Sequence, residues 1–98
     1  MKKFSQAQIA KARAVPLLET LEVLGYYVSK DSAFEPRKTK RTISVFISND
    51  ADVRELIITG EKWYDKREQV GGGGAIDLVM HLRKLSFSRA VRLLSASL

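Results

Sequence analysis

Apolar residues recur along the chain first at helical spacing, then alternately, then at helical spacing again, and each change of period predicts an element. Residues 5 to 14 carry Ile9, Ala10, Ala12 and Ala14 in a helix-compatible pattern. Pro16 either breaks that helix or begins the next, in which Leu17, Leu18, Leu21 and Leu24 form an apolar face and Gly25 suits a left-handed stop. Residues 26 to 41 read as strand and loop, with Tyr26, Tyr27, Val28 and Ser29 extended and KDSAFEPRKTKR polar and basic. In RTISVFIS, Ile43, Val45 and Ile47 alternate with Thr42, Ser44, Phe46 and Ser48, the period of a half-buried strand. NDAD then supplies a turn. VRELIITGEKWYDKR reads as a second apolar strand, a turn at Gly60 and a short third strand around Trp63 and Tyr64, so the strands form an antiparallel meander. After a run of glycines, AIDLVMHLRKL places Ile76, Val79, Met80 and Leu82 to Leu85 at helical spacing. Ser86 can cap a last helix, FSRAVRLLSASL, with Phe87, Ala90, Val91 and Leu94 inward.

These elements define an α+β fold: a small antiparallel sheet of about three to four strands, an N-terminal helix and two C-terminal helices, with no internal repeat or linker. A chain of 98 residues fits one domain, 1–98, with residues 1–14 as a helical extension. No apolar run approaches the roughly 20 residues of a membrane span, and the N-terminus lacks the continuous apolar centre of a signal peptide. A cytoplasmic location and no membrane partner are therefore expected. Zero cysteines exclude disulfides and cysteine zinc sites, and the one histidine, His81, leaves little for metal chemistry. No cofactor is expected.

Charge narrows the partners. Seventeen Lys and Arg against eleven Asp and Glu give a net charge of +6, which favours polyanions such as nucleic acid, or an anionic membrane surface. Arg37, Lys38, Lys40 and Arg41 lie together in one loop, and Lys62, Lys66 and Arg67 flank Trp63 and Tyr64 on a neighbouring strand. Cations neutralise phosphates while exposed aromatic faces stack on unpaired bases, a combination suited to single strands. Trp63 has two readings, core residue or stacking platform.

The glycines also have two. A chain turning sharply from strand to helix needs positive backbone dihedral angles, which glycine adopts at little steric cost. Alternatively Gly72, Gly73 and Gly74 present amides at a helix N-terminus to a phosphate. Asp77 counts against the second, because its carboxylate would occupy the same positive end. The lysine and Ser/Thr of a nucleotide-binding loop are missing. Asp65, Glu68 and Asp77 lack an evident catalytic partner, and His81 belongs at the core rim or in solvent, so no catalytic residue is assigned and no enzymatic activity is expected.

The order of elements, with GGGGAIDLVMHLRKLSFSRAVRLL, resembles the end of the N-terminal zinc-ribbon domain of bacterial DNA primases. It is more similar still to zinc-free relatives that precede Toprim domains in plasmid and mobile-element proteins, on the strength of PLLETLEVLGY, WYD and GGGGAIDLVMHL. The likeness covers about Val15 to Ser95, the core of the domain. Superposing the shared motifs puts the primase zinc ligands near Ala33, Pro36, Lys66 and Gln69, none of them a zinc ligand here. The resemblance thus implies a zinc-ribbon-like fold without metal, its sheet held by a core for which Phe46, Ile57 and Trp63 are candidates. It also implies a setting: a DNA-binding accessory module, for single strands on the aromatic argument, in replication, priming or transfer of a plasmid or mobile element. The alternative is a docking module for a primase, Toprim or relaxase protein, using the C-terminal helices.

Overall fold

In the computed structural model, which describes residues 4–31 and 41–97, the N-terminal pattern divides into two short helices. The first, α1 (Gln6–Arg13), starts at Ser5, whose hydroxyl accepts from the Gln8 backbone while the Gln8 side chain accepts from the Ser5 backbone. This reciprocal cap satisfies two amides that the helix cannot satisfy itself. Pro16 is the N-cap residue of α2 (Leu17–Val23), and Gly25 follows that helix at φ +83°. Leu17, Leu21 and Leu24 are buried, but Leu18 is exposed, because a helix of seven residues has only one narrow inward stripe.

Five strands follow, with two more helices after them: β1 (Tyr27–Lys30), β2 (Thr42–Ser48), β3 (Val53–Thr59), β4 (Lys62–Asp65), β5 (Val70–Gly73), α3 (Ala75–Arg83) and α4 (Phe87–Ala96). The sheet is fully antiparallel and its spatial order, β1-β2-β3-β4-β5, is its chain order. The expected α+β meander therefore holds, with corrections: five strands instead of three to four, and four helices among the described residues instead of three. The fifth strand is Val70–Gly73, which was expected to be a turn. Glycine has poor strand propensity, so nothing in the pattern marks it; pairing with β4 places it in the sheet, with Trp63 opposite Gly72 and Tyr64 opposite Gly71.

Register and alternation give the sheet two distinct faces. Val45, Ile47, Leu56, Ile58 and Trp63 point to one side and join Ala12, Leu17, Leu21, Ile76, Leu78, Val79, Ala90, Val91 and Leu94 from all four helices in one core. Phe46 and Ile57 point to the other side and lie outside that core, so of the three aromatic and aliphatic core candidates only Trp63 is one. Phe87, expected inward, is also exposed. Ser86 caps α4 as predicted, its hydroxyl accepting from the Arg89 backbone. No helix among the described residues is long and apolar enough to cross a membrane.

Candidate nucleic-acid interface

The face away from the helices is built by strand alternation alone. Tyr27 and Ser29 of β1, Thr42, Ser44, Phe46 and Ser48 of β2, Val53, Glu55, Ile57 and Thr59 of β3, and Lys62 and Tyr64 of β4 share it. Three of these are exposed aromatics: Tyr27 at 82%, Phe46 at 43% and Tyr64 at 42% relative accessibility. Their register makes a diagonal. Tyr27 pairs with Ser48, Phe46 lies between Ser29 and Glu55, and Tyr64 pairs with Ile57. Phe46 and Tyr64 are two inter-strand spacings apart and offset by two residues along the strands, roughly 12 Å in all. Hydroxyls fill the gaps, and two of them, on Thr42 and Thr59, bond to each other at 2.6 Å.

The sequence-predicted residues distribute unevenly over this surface. Arg37, Lys38 and Lys40 lie outside the described residues. Arg41 is exposed just before β2, its guanidinium close to Gly60. Lys62 is exposed at the same end of the sheet and belongs to the open face with Tyr64. Lys66 and Arg67 lie at the opposite end, in the β4–β5 turn, and both are ion-paired, Lys66 to Glu55 at 3.4 Å and Arg67 to Asp52. Trp63 is not on this surface. It is 97% buried on the helix side, so the stacking reading is corrected to core. Tyr27 and Phe46 were not singled out from sequence as binding residues, although the alternation of RTISVFIS already put Phe46 opposite Ile43, Val45 and Ile47.

Gly72, Gly73 and Gly74 have internal uses. The Gly73 amide donates to the Asp77 carboxylate at 3.0 Å and the Gly74 amide to the Glu61 carbonyl at 2.7 Å, leaving neither directed at a phosphate. Of the four consecutive glycines only Gly74 has a positive φ, +83°, as N-cap of α3. Gly72 serves by lacking a side chain: a Cβ there would overlap the Asp77 carboxylate and stand 2.7 Å from Cζ2 of Trp63.

A second cluster lies beneath the sheet at the end bearing the β2–β3 and β4–β5 turns. The Asp65 side chain is fully buried. Its Oδ2 accepts from Arg54 Nη1 at 2.6 Å and from His81 Nε2 at 2.8 Å; its Oδ1 accepts from the backbone amides of Arg67 at 2.9 Å and Glu68 at 3.2 Å. An ionised carboxylate has only acceptor sites, about four of them, so His81 must donate, and the carboxylate is saturated. Burial by itself raises the Asp65 pKa, but hydrogen bonds from His81, Arg54 and the Glu68 backbone outweigh it and the net shift is downward. The His81 ring stacks on Trp63 with centroids 5.0 Å apart, so of its two expected places His81 takes the rim of the core, within this cluster, and not solvent. Asp65 was legible as an inward residue, since it is two positions after Trp63 on one strand, and an inward carboxylate requires partners. Its partners were not. With every acceptor site of Asp65 occupied, the cluster fastens both turns to α3, and the Asp65 carboxylate itself has no site left for a substrate proton.

Among the described residues no group of His, Asp and Glu is placed to hold a metal ion. Lys66 and Gln69, which the primase superposition puts at ligand positions, lie in the β4–β5 turn. Ala33 and Pro36, the other two positions, lie outside the described residues. Compared with protein-family models, curated proteins and solved structures, the chain matches none.

Proposed function

We propose that this domain binds single-stranded DNA through the open face of its sheet, as an accessory module in replication, priming or transfer of a mobile element. The observation that carries the reading is the diagonal Tyr27, Phe46, Tyr64: three large rings left in solvent on a face that contributes nothing to the core. Isolated exposed apolar residues need no explanation, but three on one sheet face, interspersed with hydroxyls, make a platform for bases. Stacking on such rings contributes about 1–3 kcal/mol per base and tolerates any sequence. Lys62 at one end of the face supplies a cation for the backbone, and Arg37, Lys38, Lys40 and Arg41 add to the positive charge that draws a polyanion to the chain. The genetic setting and the zinc-ribbon-like ancestry rest on the motif resemblance. The docking alternative has less behind it, since Phe87 is the one large apolar side chain on α3 or α4 that is exposed among the described residues.

The test is a titration of labelled single- and double-stranded oligonucleotides at two salt concentrations. Single strands should bind more tightly, with a logarithmic salt slope of roughly −0.7 per phosphate contact. Alanine at Tyr27, Phe46 and Tyr64 together should abolish most of that affinity and leave the unfolding midpoint near the parent's. Unchanged affinity in the folded triple variant would transfer the function to another surface.

A further inference from the structure

We infer that Glu55 gives the open face a base preference, and that the base it selects is guanine; this rests on the single-strand reading above. Glu55 is directly opposite Phe46 on the open face, and the Lys66 amide donates to its carbonyl at 3.1 Å from the β4 side, which leaves Tyr64 diagonal to it. A carboxylate between two stacking rings is a costly choice for a surface that holds phosphates, because it repels them. It is a sensible choice for reading a base edge.

The carboxylate is also held in place. Its Oε2 accepts from Ser44 Oγ at 2.6 Å, and its Oε1 is 3.4 Å from Lys66 Nζ. Ser44 is buried, so one side of the clamp is rigid, while the Glu55 side chain keeps 23% of its surface in solvent. Each carboxylate oxygen has two lone-pair sites, so each keeps one for a ligand. Two parallel acceptors match two parallel donors. Guanine has that pair, N1–H and N2–H, on its Watson–Crick edge. Adenine and cytosine put a ring acceptor beside their single amine, and thymine flanks N3–H with two carbonyl oxygens, so all three oppose an acceptor to a carboxylate oxygen. In a duplex the edge is engaged with its partner base, so the same contact requires an unpaired strand.

The experiment uses the whole chain and a labelled oligothymidylate of about eight residues, within the usual span of single-strand sites, alongside versions carrying one central guanine, adenine, cytosine or inosine. The guanine version should bind on the order of tenfold more tightly than oligothymidylate, inside the range of a bidentate contact. Inosine, which lacks the N2 amine, should lose most of that gain. Glu55→Gln should erase the preference while binding plain oligothymidylate at least as well as the parent, and a urea midpoint near the parent's would certify that it folds. Equal affinity for all five strands in the parent would overturn the inference and leave strand binding intact. Retention of the guanine preference in Glu55→Gln would also overturn it. Failure of every oligonucleotide to bind would overturn both it and the function it rests on. Free dGMP binding as tightly as the guanine oligonucleotide would assign the edge to a mononucleotide and overturn the strand reading.

Discussion

Alanine substitutions through the glycine run should separate by position, and Gly72 should be the most damaging. A Cβ at Gly72 meets two groups that resist displacement: the indole of Trp63, which is buried in the core, and the Asp77 carboxylate, which accepts from the Gly73 amide. Overpacking of this kind costs about 1–3 kcal/mol, and breaking the Asp77 hydrogen bond adds about 1 kcal/mol. Gly72→Ala should therefore lose roughly 2–4 kcal/mol. At Gly74 the added Cβ meets Arg13 Cγ at 3.3 Å and the φ of +83° is unfavourable to alanine, so a loss of about 1 kcal/mol or more follows. At Gly73 the nearest atom is 4.0 Å away and φ is not positive, so Gly73→Ala should be neutral or slightly stabilising, because alanine narrows the unfolded ensemble. Urea unfolding followed by Trp63 emission resolves these differences, and for a domain of this size each kcal/mol is also about 4–8 °C in Tm. Equal midpoints for Gly72→Ala and Gly73→Ala would refute the packing argument.

Three further predictions concern the sheet and its fastening. Asp65→Asn should cost about 1–3 kcal/mol, since an amide nitrogen cannot accept from the donors that converge on Asp65, while Arg54 keeps Asp52 as a second anion at 2.5 Å. Because the folded pKa of Asp65 is depressed, its contribution is present above the unfolded value of about 4 and is lost as pH falls through the folded one; the variant's acid limb in an unfolding titration should be flatter, and an unchanged limb would discount the cluster. Trp63→Ala should destabilise by roughly 3–5 kcal/mol whereas Tyr64→Ala should leave the urea midpoint nearly unmoved, and the reverse order would mean that the two faces have been exchanged. Gln69 and Lys84 have φ of 57° and 54°, so glycine at either should be neutral to stabilising by up to about 1 kcal/mol, and a clear drop in the thermal midpoint for both would count against the left-handed assignment.

Much of this architecture is written in the periodicity. The alternation of RTISVFIS gave both the strand and its two faces, and NDAD, Gly60, Gly25 and Ser86 marked turns and ends where the chain does turn or end. What escaped depends on three dimensions. Val70–Gly73 is a strand because β4 supplies its partners and because Trp63 and Asp77 need room beside it; no local propensity encodes either condition. Asp65 and His81 are 16 residues apart, so their pairing could not be read from spacing. Tyr27 and Phe46 were visible as residues, but their shared exposure is a matter of register between β1 and β2. The outward side of Phe46 was in the alternation all along, and bulk hydrophobicity argued wrongly for the core.

The meander has a kinetic consequence. Each strand pairs with its neighbour in the chain, so β2 through β5 can be assembled by closing three short turns in succession, each at a small entropic cost. The packing of α1 against α4 joins the two ends of the described chain and must wait for the longest closure of all. Proteins rich in local contacts fold fast, and the last part to close is commonly the first to open. Hydrogen exchange should therefore be graded: slowest for amides shared by β2 and β3, faster in α1, with the N-terminal helix lifting away while the sheet and its open face stay intact.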